Sequence, residues 1–153
     1  MNAIDLLEKD HSEARRAMEA IAGARGSARQ DLFKAFKHRI EIHDVLEETI
    51  FYPALLSHPK TFGYREMDKE AHKVVETALD TLAALAPDAG EWSRSFNAVR
   101  GVLMKHMDDE EFKVFIRIRE VMSPDELAEI GDRMNRGRDR LIESSLVHAA
   151  GRA

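Results

Sequence analysis

The sequence has 153 residues, 44% of them apolar, which is enough for one domain with a single core. Its 28 acidic and 23 basic residues give a formal net charge of -5, which argues against a nucleic-acid-binding surface. The sequence contains no cysteine, so disulfides, thiolate metal sites and cysteine nucleophiles are excluded, and any metal must use nitrogen and oxygen ligands. We find no signal peptide and no stretch long enough to span a bilayer, so we expect a cytoplasmic protein without a membrane partner.

Apolar residues recur at three- and four-residue spacing in the first half of the chain and predict two helices. The first extends from about residue 2 to 22, and His11 fills a gap in its apolar stripe. The second extends from about residue 28 to 52, and His43 and Glu47 complete its stripe. The other residues predicted on the inner face of the second helix are Leu32, Phe36, Ile40 and Ile50.

The second half of the chain repeats this arrangement. A third helix is predicted from about residue 64 to 86, with His72 on its apolar face. A fourth is predicted from about residue 90 to 120, and its apolar stripe leads to His106 and Glu110. Each of the four helices therefore directs a histidine towards the interior.

A fifth helix begins at Ser123, where the sequence Ser-Pro-Asp-Glu supplies an N-cap and a proline at the first helical position. The short connections predict an all-α fold, an up-down-up-down four-helix bundle with an additional C-terminal helix. We divide the chain into the bundle (1–120), the C-terminal helix packed on it (121–146) and a tail (147–153). On the fifth helix, a basic cluster is interpreted as a solvated face: Arg133, Arg136, Arg138 and Arg140.

The histidine spacing indicates an internal repeat. His11 and His72, alone on the first helix of each hairpin, are 61 residues apart, and His43 and His106 are 63 apart. Each of the latter begins a His-x-x-x-Glu-Glu run, "HDVLEE" and "HMDDEE". Residues four apart lie on one face of a helix, so imidazole and carboxylate point to the same place. The repeat predicts six donor groups in one layer near the middle of the bundle.

A lone inward histidine is more often a hydrogen-bonded core residue than a ligand, and a purely hydrogen-bonded network is an alternative here. However, each buried polar group without a partner costs about 1–3 kcal/mol. Six of them would rival the whole stability of a typical domain, about 5–15 kcal/mol. Two metal ions would satisfy the lone pairs and neutralise the carboxylates together. Mixed imidazole and carboxylate donors favour a redox-capable pair, so two iron ions are expected, with manganese or zinc as alternatives.

Four motifs, in order on four helices, resemble those of the hemerythrin-like (HHE cation-binding) domain: "DHSEA", "IHDVLEETIFYP", "EAHKVVE" and "KHMDDEE". The similarity spans about residues 1 to 120. It implies a non-haem di-iron site bridged by Glu47, Glu110 and an oxo or hydroxo group. It also implies metal-binding roles for His11, His43, His72 and His106.

The chain departs from the pattern of the oxygen-carrying hemerythrins. Those proteins have a second histidine one turn after the third-helix ligand, where this chain has Glu76, and their last carboxylate is an Asp five residues on instead of Glu110 four after His106. The site therefore looks more like the branch associated with peroxide, nitric oxide, oxygen or iron sensing. Glu76 and Tyr52 are further candidates for a metal or indirect contact. Tyr52, five residues past Glu47, points about 140° away on an ideal helix, but the adjacent Pro53 can distort the last turn.

Other polar residues are less strongly indicated for a role at the metal site. Any of several acidic residues beside the ligands could orient an imidazole: Asp44, Glu48, Asp108, Asp109 and Glu111. Three histidines on another face, in a loop or in the tail are not expected to be ligands: His38, His58 and His148.

Three classes of function remain. An enzyme would react with oxygen or decompose hydrogen peroxide in a catalase-like way, and six protein ligands on two ions leave a coordination position open. A binding module would sense oxygen, nitric oxide or iron and act on an unknown protein partner in trans. A structural bundle would use metal only for folding, and then paired ions and an open position would be needless.

Overall fold

The computed structural model describes the backbone of residues 1–151 and the side chains of residues 1–146. Within these residues the chain forms five helices, and none of these is both long and apolar enough to cross a membrane. Three are regular: α1 (Ala3–Gly23), α3 (Tyr64–Ala83) and α5 (Pro124–Gly151).

The other two helices, α2 and α4, each contain a π-helical turn. α2 consists of Gly26–Leu46, a π-helical turn Glu47–Phe51 and a short α-helical turn Tyr52–Ala54, and a 3₁₀ turn Leu55–Ser57 follows it. α4 consists of Gly90–Asp109, a π-helical turn Glu110–Val114 and a final segment Phe115–Val121.

Helices α1 to α4 form the predicted four-helix bundle, and α5 packs beside α1 and α2. The predicted cap of α5 is present: Oε2 of Glu126 accepts the Ser123 backbone N–H at 2.8 Å, and the Glu126 N–H donates to Ser123 Oγ at 3.2 Å. The backbone of α5 stays helical to Gly151, beyond residue 146, where we predicted the tail to begin.

Two apolar clusters form the core, and the predicted donor layer lies between them. We call the cluster that contains Leu7 of α1 the lower cluster, and the cluster that contains Ala14 of α1 the upper cluster. The buried His11 lies between these two residues on α1. On α2, Ile40 and Leu46 flank His43 in the same way. The bundle therefore excludes water from both ends of the layer of ionisable groups.

One prediction about this core is wrong. Leu32 was placed on the inner face of α2, but 40% of it is exposed, whereas its neighbour Phe33 is only 5% exposed. Phe33 contacts the edge of the Trp92 ring at a centroid distance of 5.8 Å. The start of α2 thus turns Phe33 inward, where it packs with Trp92 in the upper cluster.

The first residues of the chain pack directly on Gly131 of α5. A Cβ at Gly131 would lie 2.6 Å from the carbonyl oxygen of Met1 and 2.9 Å from the backbone nitrogen of Ala3. These neighbours are backbone atoms that cannot rotate away. We expect Gly131→Ala to lower the free energy of unfolding by about 1–3 kcal/mol, measured by urea denaturation.

Gly101 on α4 is the matched control, because a Cβ there would have no atom within 4 Å. Gly101→Ala should raise the free energy of unfolding by about 0.5–1 kcal/mol through helix propensity. Equal effects of the two substitutions would contradict the close contact at Gly131.

Candidate metal centre

Two groups of buried donor atoms lie side by side in the layer between the apolar clusters. Within each group, the ligand atoms of four residues lie within 4.8 Å of one another. The first group is His11, His43, Glu47 and Glu110, and the second is Glu47, Asp68, His72 and His106. The six predicted ligands are therefore all brought together, and Glu47 belongs to both groups.

The two glutamates lie between the histidines of the two groups. Glu47 Oε2 is 3.1 Å from His72 Nε2 and 3.5 Å from His43 Nε2. Glu110 Oε2 is 3.1 Å from His11 Nε2 and 3.7 Å from His106 Nε2. Each carboxylate thus contacts one imidazole of each group, the position from which a carboxylate can bridge two cations.

Asp68 is a seventh donor that we did not identify from the sequence. It lies one helical turn before His72 on α3 and is 4% exposed. Its Oδ1 is 3.1 Å from His72 Nε2 and 3.6 Å from His106 Nε2. On the third helix, the second donor is therefore Asp68, four residues before His72, and not the residue four after His72.

The protein side chains alone leave this layer electrostatically strained. Burial raises the pKa of Glu47 well above its usual range, and the negative charges of Glu110 and Asp68 raise it further. Burial also raises the pKa of Asp68 to about 6. For His72, burial acts to lower the pKa, but hydrogen bonds with Asp68 and Glu47 outweigh it and raise the pKa to about 12. Protons therefore neutralise part of the negative charge of the buried carboxylates. Bound cations would neutralise the same charge and would release these protons.

Six buried side-chain atoms of this layer make no hydrogen bond of good geometry among the described residues, although His11 Nε2 and Asp68 Oδ1 each have an oppositely charged group at 3.1 Å. They are His11 Nε2, Glu47 Oε1, Asp68 Oδ1 and Oδ2, His106 Nε2 and Glu110 Oε2. Buried polar atoms are normally satisfied, and exceptions require an explanation such as an ion. Nitrogen and carboxylate oxygen are good ligands for divalent transition metals, so this donor set fits metal cations.

Carboxylates hold three of the imidazoles from their outer nitrogens. Nδ1 of His11 donates to Glu111 Oε1 at 2.8 Å, and Nδ1 of His72 donates to Glu48 Oε1 at 3.0 Å. His43 is held by a residue that we did not anticipate, since its Nδ1 lies 3.1 Å from Asp10 Oδ2. Because a carboxylate only accepts, each of these Nδ1 atoms carries a proton, which leaves each Nε2 facing the centre, where a bound cation would displace any proton on it and take its lone pair.

Two arginines support these carboxylates. Arg15 donates to Glu111 at 2.9 Å. Arg138 makes two hydrogen bonds with Asp10, at 2.8 and 2.6 Å. Burial acts to raise the pKa of Asp10, but hydrogen bonds from His43 and Arg138 outweigh it and lower the pKa. Arg138 was expected on a solvated face, and it instead connects α5 to the donor layer.

The π-helical turns begin at Glu47 and Glu110, which we call the shared glutamates because each contacts an imidazole of both groups. In each turn the backbone N–H five residues on, of Tyr52 or Phe115, donates to the glutamate carbonyl. A π turn has more residues per turn than an α-helix, so the fifth residue returns over the first. Tyr52 therefore points inward, and its hydroxyl donates to Glu110 Oε1 at 2.7 Å. Phe115, at the equivalent position, stacks on His11 at a centroid distance of 5.8 Å.

The remaining residues named from the sequence lie outside the two donor groups. Glu76 is exposed and lines an acidic surface cleft that reaches His72. His38 is on the surface, and His58 lies 3.7 Å from Glu126 in the loop region. The side chain of His148 lies outside the described part of the chain. Asp44 lies 3.5 Å from His72 Nε2, Asp108 pairs with Arg15, and Asp109 pairs with Lys105 and Lys113.

Comparison with known proteins agrees with this geometry. The family profile of the hemerythrin HHE cation binding domain matches residues 2–118. The chain belongs to the hemerythrin HHE cation-binding domain family. The HHE domain is thus confirmed, as is the capacity of its clustered histidines and carboxylates to hold metal cations.

Relatives of this HHE domain are found in mycobacteria. The uncharacterized proteins Rv2633c of Mycobacterium tuberculosis and Mb2666c of Mycobacterium bovis are each 29% identical over 137 residues, covering 88% of this chain and 83% of each relative. A crystal structure of a hemerythrin HHE cation binding domain-containing protein, the Rv2633c homolog from Mycobacterium kansasii, superposes with a TM-score of 0.83 at 25% identity. That match covers 96% of this chain and 91% of the other.

Asp68 gives a test that separates metal binding from a structural role. Asp68→Asn keeps the shape of the side chain but removes one buried negative charge that Glu47 and Glu110 repel. Because the pKa of Asp68 is raised by burial, the charged form opposes folding at pH 7. The metal-free variant should therefore be more stable than the metal-free parent, by on the order of 1 kcal/mol.

Because Asp68 belongs to only one of the two donor groups, the same variant should hold less metal, with the metal content per chain falling by about half. Asp80→Asn, an exposed carboxylate on the same helix, is the control and should change neither quantity appreciably. Unfolding curves of metal-free protein and elemental analysis provide the measurements. Loss of stability without loss of metal would show that Asp68 is structural.

Proposed function

We propose that this HHE domain is a non-haem di-iron protein that reacts with oxygen or hydrogen peroxide and removes peroxide in a catalase-like reaction. The observation that supports this most directly is the pair of buried donor groups that share Glu47. Two peroxide molecules would yield two waters and one dioxygen, so the reaction needs no external reductant. We further propose that it acts in the cytoplasm on a small molecule, without a nucleic-acid partner.

The chemistry of the donors favours iron. Each group combines two imidazoles with at least two carboxylates, and thiolate is absent from the chain. Zinc is most often four-coordinate in sites with fewer shared carboxylates, and manganese prefers sites richer in oxygen. When bound, a pair of iron ions would supply electron transfer and Lewis acidity.

The residues have distinct proposed roles. His11 and His43 would hold one ion, His72, His106 and Asp68 would hold the other, and Glu47 and Glu110 would supply carboxylates to both. The hydroxyl of Tyr52 fixes one oxygen of Glu110 and so sets the direction of the bridging carboxylate. Tyr52 and the acids Glu111, Asp10 and Glu48 therefore orient the groups that bind metal, while the two apolar clusters keep the layer dry. Glu76 is assigned no ligand role in this proposal.

A second candidate is a module that senses oxygen, nitric oxide or iron and acts on a partner in trans. The contact that favours it is the connection from His43 through Asp10 to Arg138 on α5. A change in the position of His43 on ligand binding would be transmitted to a helix outside the four-helix bundle. In this case the domain would bind its signal without turnover.

Metal content and peroxide turnover test the proposal together. Protein purified without added metal should contain about two irons per chain and show oxo-to-iron charge-transfer absorption. Addition of hydrogen peroxide should release oxygen, measured with an oxygen electrode, in the ratio of one dioxygen for two peroxides. Stoichiometric zinc without visible absorption would reject the di-iron centre, and iron without turnover would favour the sensor.

His106→Ala should lower peroxide turnover at least tenfold, because it removes an imidazole from the second group. His38→Ala changes an exposed histidine on α2 and is the matched control, with turnover unchanged. Tyr52→Phe should keep its iron but shift the visible spectrum, because Glu110 loses its hydrogen bond. Full turnover of His106→Ala would exclude this centre as the source of activity.

A further inference from the structure

A pocket of about 180 Å³ opens between α1, α2 and α5 and ends at the donor layer. Its inner end is formed by the imidazoles of three histidines, His11, His43 and His106. Its walls are apolar and include Ala14, Ala17, Phe36, Ile40, Leu103 and Met107. Phe36, Leu103 and Met107 are each no more than 3% exposed, so core side chains form these walls and the pocket is not a shallow depression of the surface.

Most charged atoms at the pocket already have partners, and the exception is Arg138 Nε, which has none among the described residues. Arg138 is held by two hydrogen bonds to Asp10, and Arg39 lies 3.1 Å from Glu13. Asp44 lies at the inner end, 3.5 Å from His72 Nε2. Without breaking one of these ion pairs an anionic ligand would find only the single Nε–H of Arg138, and a cationic ligand would have to displace an existing partner from Asp10, Glu13 or Asp44. The pocket therefore favours an uncharged molecule.

The volume limits the size of the ligand. A water molecule takes up about 30 Å³ and an apolar protein cavity of about 150 Å³ accommodates benzene. Hydrogen peroxide or dioxygen would leave most of this pocket unfilled, whereas pockets for drug-sized ligands have about 300–1,000 Å³. A single six-membered ring with one small substituent matches the space.

We propose that this pocket binds an uncharged molecule with a body the size of one aromatic ring and a single polar group, such as an alcohol or a hydroperoxide. The apolar body contacts Phe36, Leu103 and Met107, and the polar group faces the imidazoles of His43 and His106. Protein side chains alone build the pocket, so the inference does not depend on which metal the centre holds. It adds a binding site for an organic molecule beside the metal centre.

Three probes that share one ring and differ in charge test the proposal: benzyl alcohol, benzoate and benzylamine. Binding to the purified protein, with its metal content determined separately, is measured by titration calorimetry. Benzyl alcohol should bind saturably at one site per chain and at least tenfold more tightly than benzoate or benzylamine. Equal or tighter binding of benzoate or benzylamine, or no saturable binding of benzyl alcohol, would overturn the proposal.

A pair of alanine variants locates the binding. Ala17 and Ala78 are both partly buried against the upper apolar cluster, but only Ala17 lines the pocket. Ala17→Leu should weaken benzyl alcohol binding at least tenfold, whereas Ala78→Leu should leave it unchanged. Equal binding by both variants would show that the probe binds elsewhere. If the purified protein contains metal but does not bind benzyl alcohol, only this inference is contradicted. If the purified protein proves to contain no metal and still binds benzyl alcohol, only the di-iron proposal is contradicted.

Discussion

Seven ionisable side chains lie together between two apolar clusters, and the repulsion among their carboxylates is the constraint around which the rest of the structure is arranged. In the protein alone, burial and the neighbouring charges raise the pKa of Glu47, and protonated His11 and His72 compensate only in part. Cations placed between the two donor groups would remove this conflict. The metal-free layer therefore lacks stability that bound cations would supply.

The two halves of the bundle share a backbone feature that directs a side chain towards the donor layer. Each half places a π-helical turn at its shared glutamate, and the turn directs the residue five positions on towards the centre. The halves then differ in chemistry, since Tyr52 donates a hydrogen bond and Phe115 only stacks. The apolar pocket also reaches His11, His43 and His106 but not His72. The two proposed metal positions therefore have unlike surroundings.

The sequence was informative where the argument depended on local periodicity. Three- and four-residue spacing predicted the helices, and the repeat of histidines predicted that six donors converge. Asp68 obeys the same four-residue rule, because it lies four residues before His72, but the repeated motif places the carboxylate four residues after the histidine. Leu32 was misplaced because the apolar spacing of α2 fits Phe33 equally well when the helix is rotated slightly about its axis.

Other features depend on contacts between distant parts of the chain. Asp10 is adjacent to His11 in sequence but serves His43 on another helix, and Arg138 reaches it from α5. Tyr52 points away on an ideal α-helix, and the letters "EETIF" give no sign of the π-helical turn that directs it inward. Periodicity alone does not reveal such features, since they arise from packing and from the demands of the donor layer.

Anomalous X-ray diffraction at the iron edge, from crystals of protein purified without added metal, is the most direct measurement of the central claim. We predict two anomalous peaks ~3.5–4 Å apart. One should lie among His11, His43 and the two shared glutamates, and the other among His72, His106 and Asp68. Peaks at other positions, or a donor layer that is fully ordered and holds no metal, would contradict the account.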